Sequence, residues 1–150
     1  MADAAAMAKV RADIGRFGWH CLHVYPQQCE MGVGFTYTIG LAETFHKPEI
    51  AIFGLDRKTS HAILNDCVEL IRRGDTFPMD TLVSEVVAGD VKVQFKRVRE
   101  DKLDACFGTA IRYYGKRRFD ALVLFWPSKA GAFPWESSAE SLQAEALTIV

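Results

Sequence analysis

The sequence predicts a single α+β domain, a mainly antiparallel sheet with helices packed on it, in the order α-βββ-α-ββ-α-β. Three observations carry that prediction. Short apolar runs alternate with polar residues at a period of two, one segment repeats apolar residues at the helical period, and Gly or Pro punctuates the joins without leaving an interdomain linker. At 150 residues the chain has the usual length of one domain. The expected core runs over about 10–136, with 137–150 as a C-terminal tail containing a short helix.

Residues 3–17 read as an Ala-rich helix with Val10, Ile14 and Phe17 on one side, stopped by Gly18. Trp19 to Tyr25 is a strand ending at Pro26, and "PQQCEMG" is a loop. Val33 to Leu41 is a second strand, which the short loop pairs antiparallel with the first. "AETFHKP" is a bend, because Pro48 has no N–H to donate and holds Lys47 extended. Glu49 to Leu55 is nearly all apolar and should be buried on both faces.

From Asp56 the period changes. Ile63, Leu64, Cys67, Val68, Leu70 and Ile71 line one side of a helix over 57–73, with Asp56 as N-cap and Gly74 at C′. "VSEVVAGDVKVQFKRV" then reads as a hairpin turning at Gly89-Asp90. Leu103 to Tyr114 is a helix, and Phe119 to Trp126 is the last strand. "WPSKAGAFPWE" is too rich in Pro and Gly to be regular.

Composition excludes several classes. Hydrophobic residues make up 49% and charged residues 25%, which is globular rather than disordered. A formal net charge of −1 gives no general affinity for phosphate backbones or anionic lipid. The stretch 92–118 carries nine Lys or Arg against three acids, which reads as a solvated face. No run approaches the ~20 apolar residues of a membrane span, and the first residues lack the pattern of a secretory signal. Four cysteines without Cys-x-x-Cys spacing fit reduced thiols, so the expected setting is a cytosol.

Several residues stand out as chemistry. His46 and Glu49 flank Pro48 and could act as acid and base, and Cys21 shares a strand face with His23 as a thiol with its base might. Their bland readings are a loop His, a capping Glu and packed strand residues. Neither a metal-ligand set nor a cofactor motif is implied. Tyr37 and Thr38 lie on the second strand, and Trp126, Trp135 and Glu136 sit in or beside an aromatic-rich irregular loop. Asn65, on the flank of the 57–73 helix, reads as bonding back to a strand end. Tyr113, Tyr114 and "GKRR" interleave rings and cations, but a helix-to-strand turn accounts for them better than nucleic-acid binding.

"YTIGL", "KPEIAIFGL", "ILND" and "WPSKAGAFPWE" together resemble a bacterial family, the domain of unknown function numbered 4262, over about Phe17 to Glu136. The chain departs from that family's pattern at Ser128, where an Asp commonly follows Trp-Pro, and at Lys47, which separates His46 from Pro48. The resemblance implies no transferable mechanism. A fainter likeness of strand order is to flavin-binding split barrels.

The expectation is therefore a module that binds a small molecule or a protein partner, with room for a homodimer and no role for a membrane. Its pocket would form where the 26–32 loop, the 41–49 bend and the 127–136 loop converge, with Tyr37, His46 and Glu49 beneath Trp126, Trp135 and Glu136. The alternative is a small enzyme, either a hydrolase or transferase using His46, Glu49 or Cys21, or a flavin-dependent oxidoreductase.

Overall fold

The computed structural model describes residues 2–28, 32–87, 89–136 and 143–150, with the side chains of residues 2, 3 and 28 left aside. Helix α1 spans Ala2–Phe17 and strand β1 spans His20–Val24, followed by a 3-10 turn at Pro26–Gln28. Strand β2 (Phe35–Ile39), helix α2 (Leu41–Phe45), strand β3 (Glu49–Phe53) and helix α3 (Arg57–Arg72) follow. Strand β4 (Gln94–Arg97), helices α4 (Leu103–Cys106) and α5 (Gly108–Tyr114), and strand β5 (Ala121–Phe125) complete the regular structure, with a last 3-10 turn at Ala144–Thr148.

The strands form one sheet in the order β1-β2-β3-β5-β4. Every pairing is antiparallel except β3 with β5, where Glu49 faces Ala121 and Ala51 faces Val123. The α+β class and the mainly antiparallel sheet are as the sequence predicts.

Both faces of the sheet are covered. On one, Phe35, Tyr37, Phe53, Val123 and Phe125 pack with Val10, Phe107 and Ala110, drawn from α1, α5 and the α4–α5 junction. On the other, Ile50, Ile52, Leu122 and Leu124 meet Leu64, Cys67, Val68 and Ile71 of α3. That is why all five residues of β2, β3 and β5 are buried. Each Leu, Ile or Val that α3 buries contributes about 1.5–3 kcal/mol.

Four local details differ from the sequence reading. The 41–49 bend contains a turn of helix, α2, because Glu49 returns to bond its first N–H groups. The expected hairpin over 83–98 keeps only β4, joined to the preceding chain by single bridges, Met79 to Phe95 and Val83 to Val93. Glu85 adopts φ 73°, which breaks an extended run, and β4 takes its full partner from β5 instead. The 103–114 helix is interrupted at Phe107 (φ −114°, ψ 37°), which leaves the helical path to bury its ring before Gly108. Asp56 does occupy the N-cap of α3, yet its side chain makes no capping bond.

One glycine is obligatory. Gly40 sits at φ 118°, and a Cβ there would lie 2.9 Å from the Gly18 carbonyl oxygen. The β2–α2 joint therefore presses directly on the α1–β1 joint.

Candidate functional site

The parallel register of β3 and β5 decides where the expected site residues lie. Glu49 pairs with Ala121 at the start of both strands, whereas Trp126 follows Phe125 at their far end, about 16 Å along the sheet. The β1–β2 connection also lies at the far end, since Val24 faces Phe35 and Phe35 faces Phe53. The Pro26–Gln28 turn and the 127–136 loop thus share one end and the 41–49 bend occupies the other, while residues 29–31 of the expected 26–32 loop lie outside the described residues. The single pocket expected from their convergence does not form.

Glu49 is fully buried and saturated. Oε1 accepts from Thr38 Oγ1 (2.8 Å) and the Leu41 N–H (3.1 Å), while Oε2 accepts from the Ala42 N–H (3.1 Å), the Gly40 N–H (3.2 Å) and the Tyr114 hydroxyl. Thr38 Oγ1 in turn accepts from the Ile50 N–H (3.0 Å). Burial raises the carboxyl above its ordinary pKa, and the Tyr114, Ala42, Thr38 and Leu41 bonds oppose that rise. The group ties β2, α2, β3 and α5 together, with no oxygen left for a ligand. His46 is exposed and ends α2 at φ 56°, and its ring makes no bond among the described residues. Tyr37 is buried against Phe107 (ring centroids 4.8 Å), and burial pushes its hydroxyl up to about 12.

The C-terminal loop is held internally. Glu136 Oε1 accepts from the Phe133 N–H (2.9 Å), and the Glu136 N–H donates to the Phe133 carbonyl. Trp135 stacks on Phe133 at 4.9 Å beneath Lys96 Nζ at 4.4 Å, while the backbone of Trp126 exchanges two bonds with the Gln143 amide. The basic stretch is largely neutralised by ion pairs: Lys96 with Asp80, Arg97 with Asp120, Arg117 with Glu43 and Arg118 with Glu100.

A different region collects polar groups, several of them without a hydrogen-bond or ion-pair partner among the described residues. A groove of about 900 Å³ opens between the end of α1, the start of β1 and the outer side of α3. Arg57, His61, Asn65 and Glu69 recur every four residues and so form one stripe of α3 along its wall. Among the described residues, the side chains of Arg57 and Asn65 and the ring nitrogens of His61 make no hydrogen bond or ion pair. Asn65 therefore does not bond back to a strand, as its flank position suggested. The His61 ring meets Trp19 edge-on at 5.9 Å.

Opposite α3, Asp13 of α1 bonds Nδ1 of His20 at 2.7 Å and Lys9 Nζ at 2.9 Å. His20 lines the groove with an Nε2 that makes no hydrogen bond among the described residues. Cys21 lines it too, its thiol pushed up to about 11 by burial while Arg57 pulls the other way. Such a thiol is a poor nucleophile at neutral pH. Burial, assisted by Arg57, lowers the His23 pKa.

A family model described as Domain of unknown function (DUF4262) matches residues 13–140. The chain belongs to this family. The matched span of this DUF4262 domain takes in the groove from Asp13 to Arg72 and the whole sheet, and omits most of α1 and the Ala144–Thr148 turn. Neither a curated protein nor a solved structure matches the chain. Sequence reasoning missed Arg57 and His61 because a charge beside a helix start reads as ordinary solvation. The four-residue recurrence from Arg57 to Glu69 was the available signal.

Proposed function

We infer that this DUF4262 domain is a binding module, and that the groove between α1, β1 and α3 takes a negatively charged group of its ligand or partner. One observation carries the reading: Arg57 and His61 face the same groove one helical turn apart, without a hydrogen-bond or ion-pair partner among the described residues. An Arg offers planar paired donors to a carboxylate or phosphate, and a neighbouring His adds a donor of its own. The floor beside them supplies an apolar surface through Trp19. Four cysteines without Cys-x-x-Cys spacing support a reducing, cytosolic setting.

The test is a titration with inorganic pyrophosphate followed by NMR of the Arg57 Nε–H and the His61 ring. Saturable shifts at these groups are expected, with affinity reduced about tenfold or more in Arg57→Ala and in His61→Ala. Shifts that do not saturate at millimolar pyrophosphate, or that survive both substitutions, overturn the reading.

A further inference from the structure

Strand β1 ends the sheet, and nothing among the described residues pairs with its outer side. In an antiparallel pair alternate residues of the end strand turn their N–H and C=O groups outward, so part of the His20–Val24 backbone presents unused donors and acceptors. The far edge of the sheet is treated differently. There the Met79 bridge meets Phe95 of β4, and Val83 bridges Val93 just before the strand. The sequence of β1, His-Cys-Leu-His-Val, contains no Lys or Pro of the kind that usually blunts an open edge. Two exposed aromatic residues bracket the strand, Phe17 (51% exposed) before it and Tyr25 (45%) after it.

The groove lies over the first part of this edge. Its charged lining is Lys9, Arg16, Arg57 and Arg72 against Asp13 and Glu69, four cations to two anions. Lys9 is paired with Asp13 and Arg72 with Glu69, which leaves Arg16 and Arg57 without a carboxylate among the described residues. A second copy of the chain would bring the same excess of positive charge to the seam, so self-pairing along β1 is opposed. An acidic strand meets complementary charge and completes the ladder in one step.

We propose that the open edge of β1 receives an extended, acidic segment of a partner protein, which adds as a sixth strand with its carboxylates on Arg16 and Arg57 and its apolar residues against Phe17 and Trp19. This rests on the anion-binding reading of the groove and names the kind of partner. Main-chain bonds would supply affinity, and the flanking cations and rings would select the sequence.

The experiment uses the full chain and three synthetic heptapeptides. One alternates Glu and Val, one alternates Lys and Val, and one repeats the acidic sequence with alternate backbone nitrogens methylated. The acidic peptide is expected to slow hydrogen exchange at alternate amides of residues 20–24. The Lys peptide and the methylated peptide should each bind at least about tenfold more weakly. Arg57→Glu should weaken the acidic peptide by a similar factor. Because Arg57 occupies the first turn of α3, a Glu there suits the helix dipole and preserves folding.

No protection of β1 at millimolar acidic peptide overturns the proposal, as does equal binding by the methylated peptide, which would show charge without strand pairing. A dimer in sedimentation with those amides already protected overturns it in favour of a second copy. If pyrophosphate still shifts Arg57 and His61 while the peptide fails, only the strand-addition proposal falls. If neither probe reaches Arg57, the reading of the groove falls with it.

Discussion

The Tyr114 hydroxyl donates to Oε2 of Glu49, a residue 65 positions earlier, and both side chains lie in the interior. The Gly40 N–H bonds the same hydroxyl oxygen at 3.1 Å, so the phenol stands between the end of β2 and the start of β3. Removing the hydroxyl in Tyr114→Phe should cost about 1.5–3 kcal/mol, the worth of a bond to a charged group. For a chain of this size the melting temperature should fall by roughly 3–12 °C. Thermal unfolding by circular dichroism measures it, and an unchanged melting point would mean that the bond contributes nothing.

Ser60 makes the opposite case. It is fully buried in α3, and its hydroxyl oxygen has no hydrogen-bond partner among the described residues. An unpaired buried hydroxyl costs about 1–3 kcal/mol, so Ser60→Ala should raise stability by about 1 kcal/mol after the small loss of packing. Urea unfolding reads this directly. A loss of stability would reveal a partner for the hydroxyl.

Cys21 should resist alkylation. With its thiol near 11, the thiolate fraction at neutral pH is about 10⁻⁴, some two orders of magnitude below that of an ordinary cysteine. Peptide mapping after iodoacetamide should show labelling at least about 100-fold slower than for a free cysteine. Because Arg57 lowers the thiol pKa, Arg57→Ala should slow it further. Labelling at the free-cysteine rate would restore Cys21 as a candidate nucleophile.

Asp13 should give the acid limb of the stability curve. Burial raises its pKa, but the bonds with Lys9 and His20 outweigh that and hold it below its ordinary value. A carboxyl whose folded pKa is depressed adds stability above its unfolded value and loses it as pH falls through the folded one. The gap in urea midpoint between the native chain and Asp13→Asn should be widest near pH 7 and close below about pH 3. A gap independent of pH would assign the residue a purely steric role.

Much of the fold was legible because it follows from local pattern. The alternation in β2, the unbroken apolar run of β3 and the stripe of α3 each report their own surroundings. The sequence could not tell that β3 and β5 run parallel, since that pairing depends on how α3, β4 and α5 are stacked between them. That one relation separates the two ends of the sheet and so separates His46 and Glu49 from Trp126 and Trp135. Glu49 illustrates the difficulty well. An acid beside Pro48 in an apolar setting looks like a reactive carboxyl until Tyr114, distant in sequence, is seen to bond it. Arg57 is the converse, an ordinary helix-start cation that the fold sets in a groove beside the edge strand β1.

The pairing of β3 with β5 also separates local from distant contacts in the chain. β1, β2 and β3 close through short connections and can pair as soon as Phe53 has been made. Bringing Ala121 to Glu49 closes a far longer loop, at an entropic cost about 1.7 kcal/mol above that of the Val24-to-Phe35 turn. Without β5, Glu-Ile-Ala-Ile-Phe, five residues destined for the interior, would form the margin of the β1-β2-β3 sheet. In a newly synthesised chain the sticky margin is therefore the future centre of the sheet, protected only when the last strand arrives.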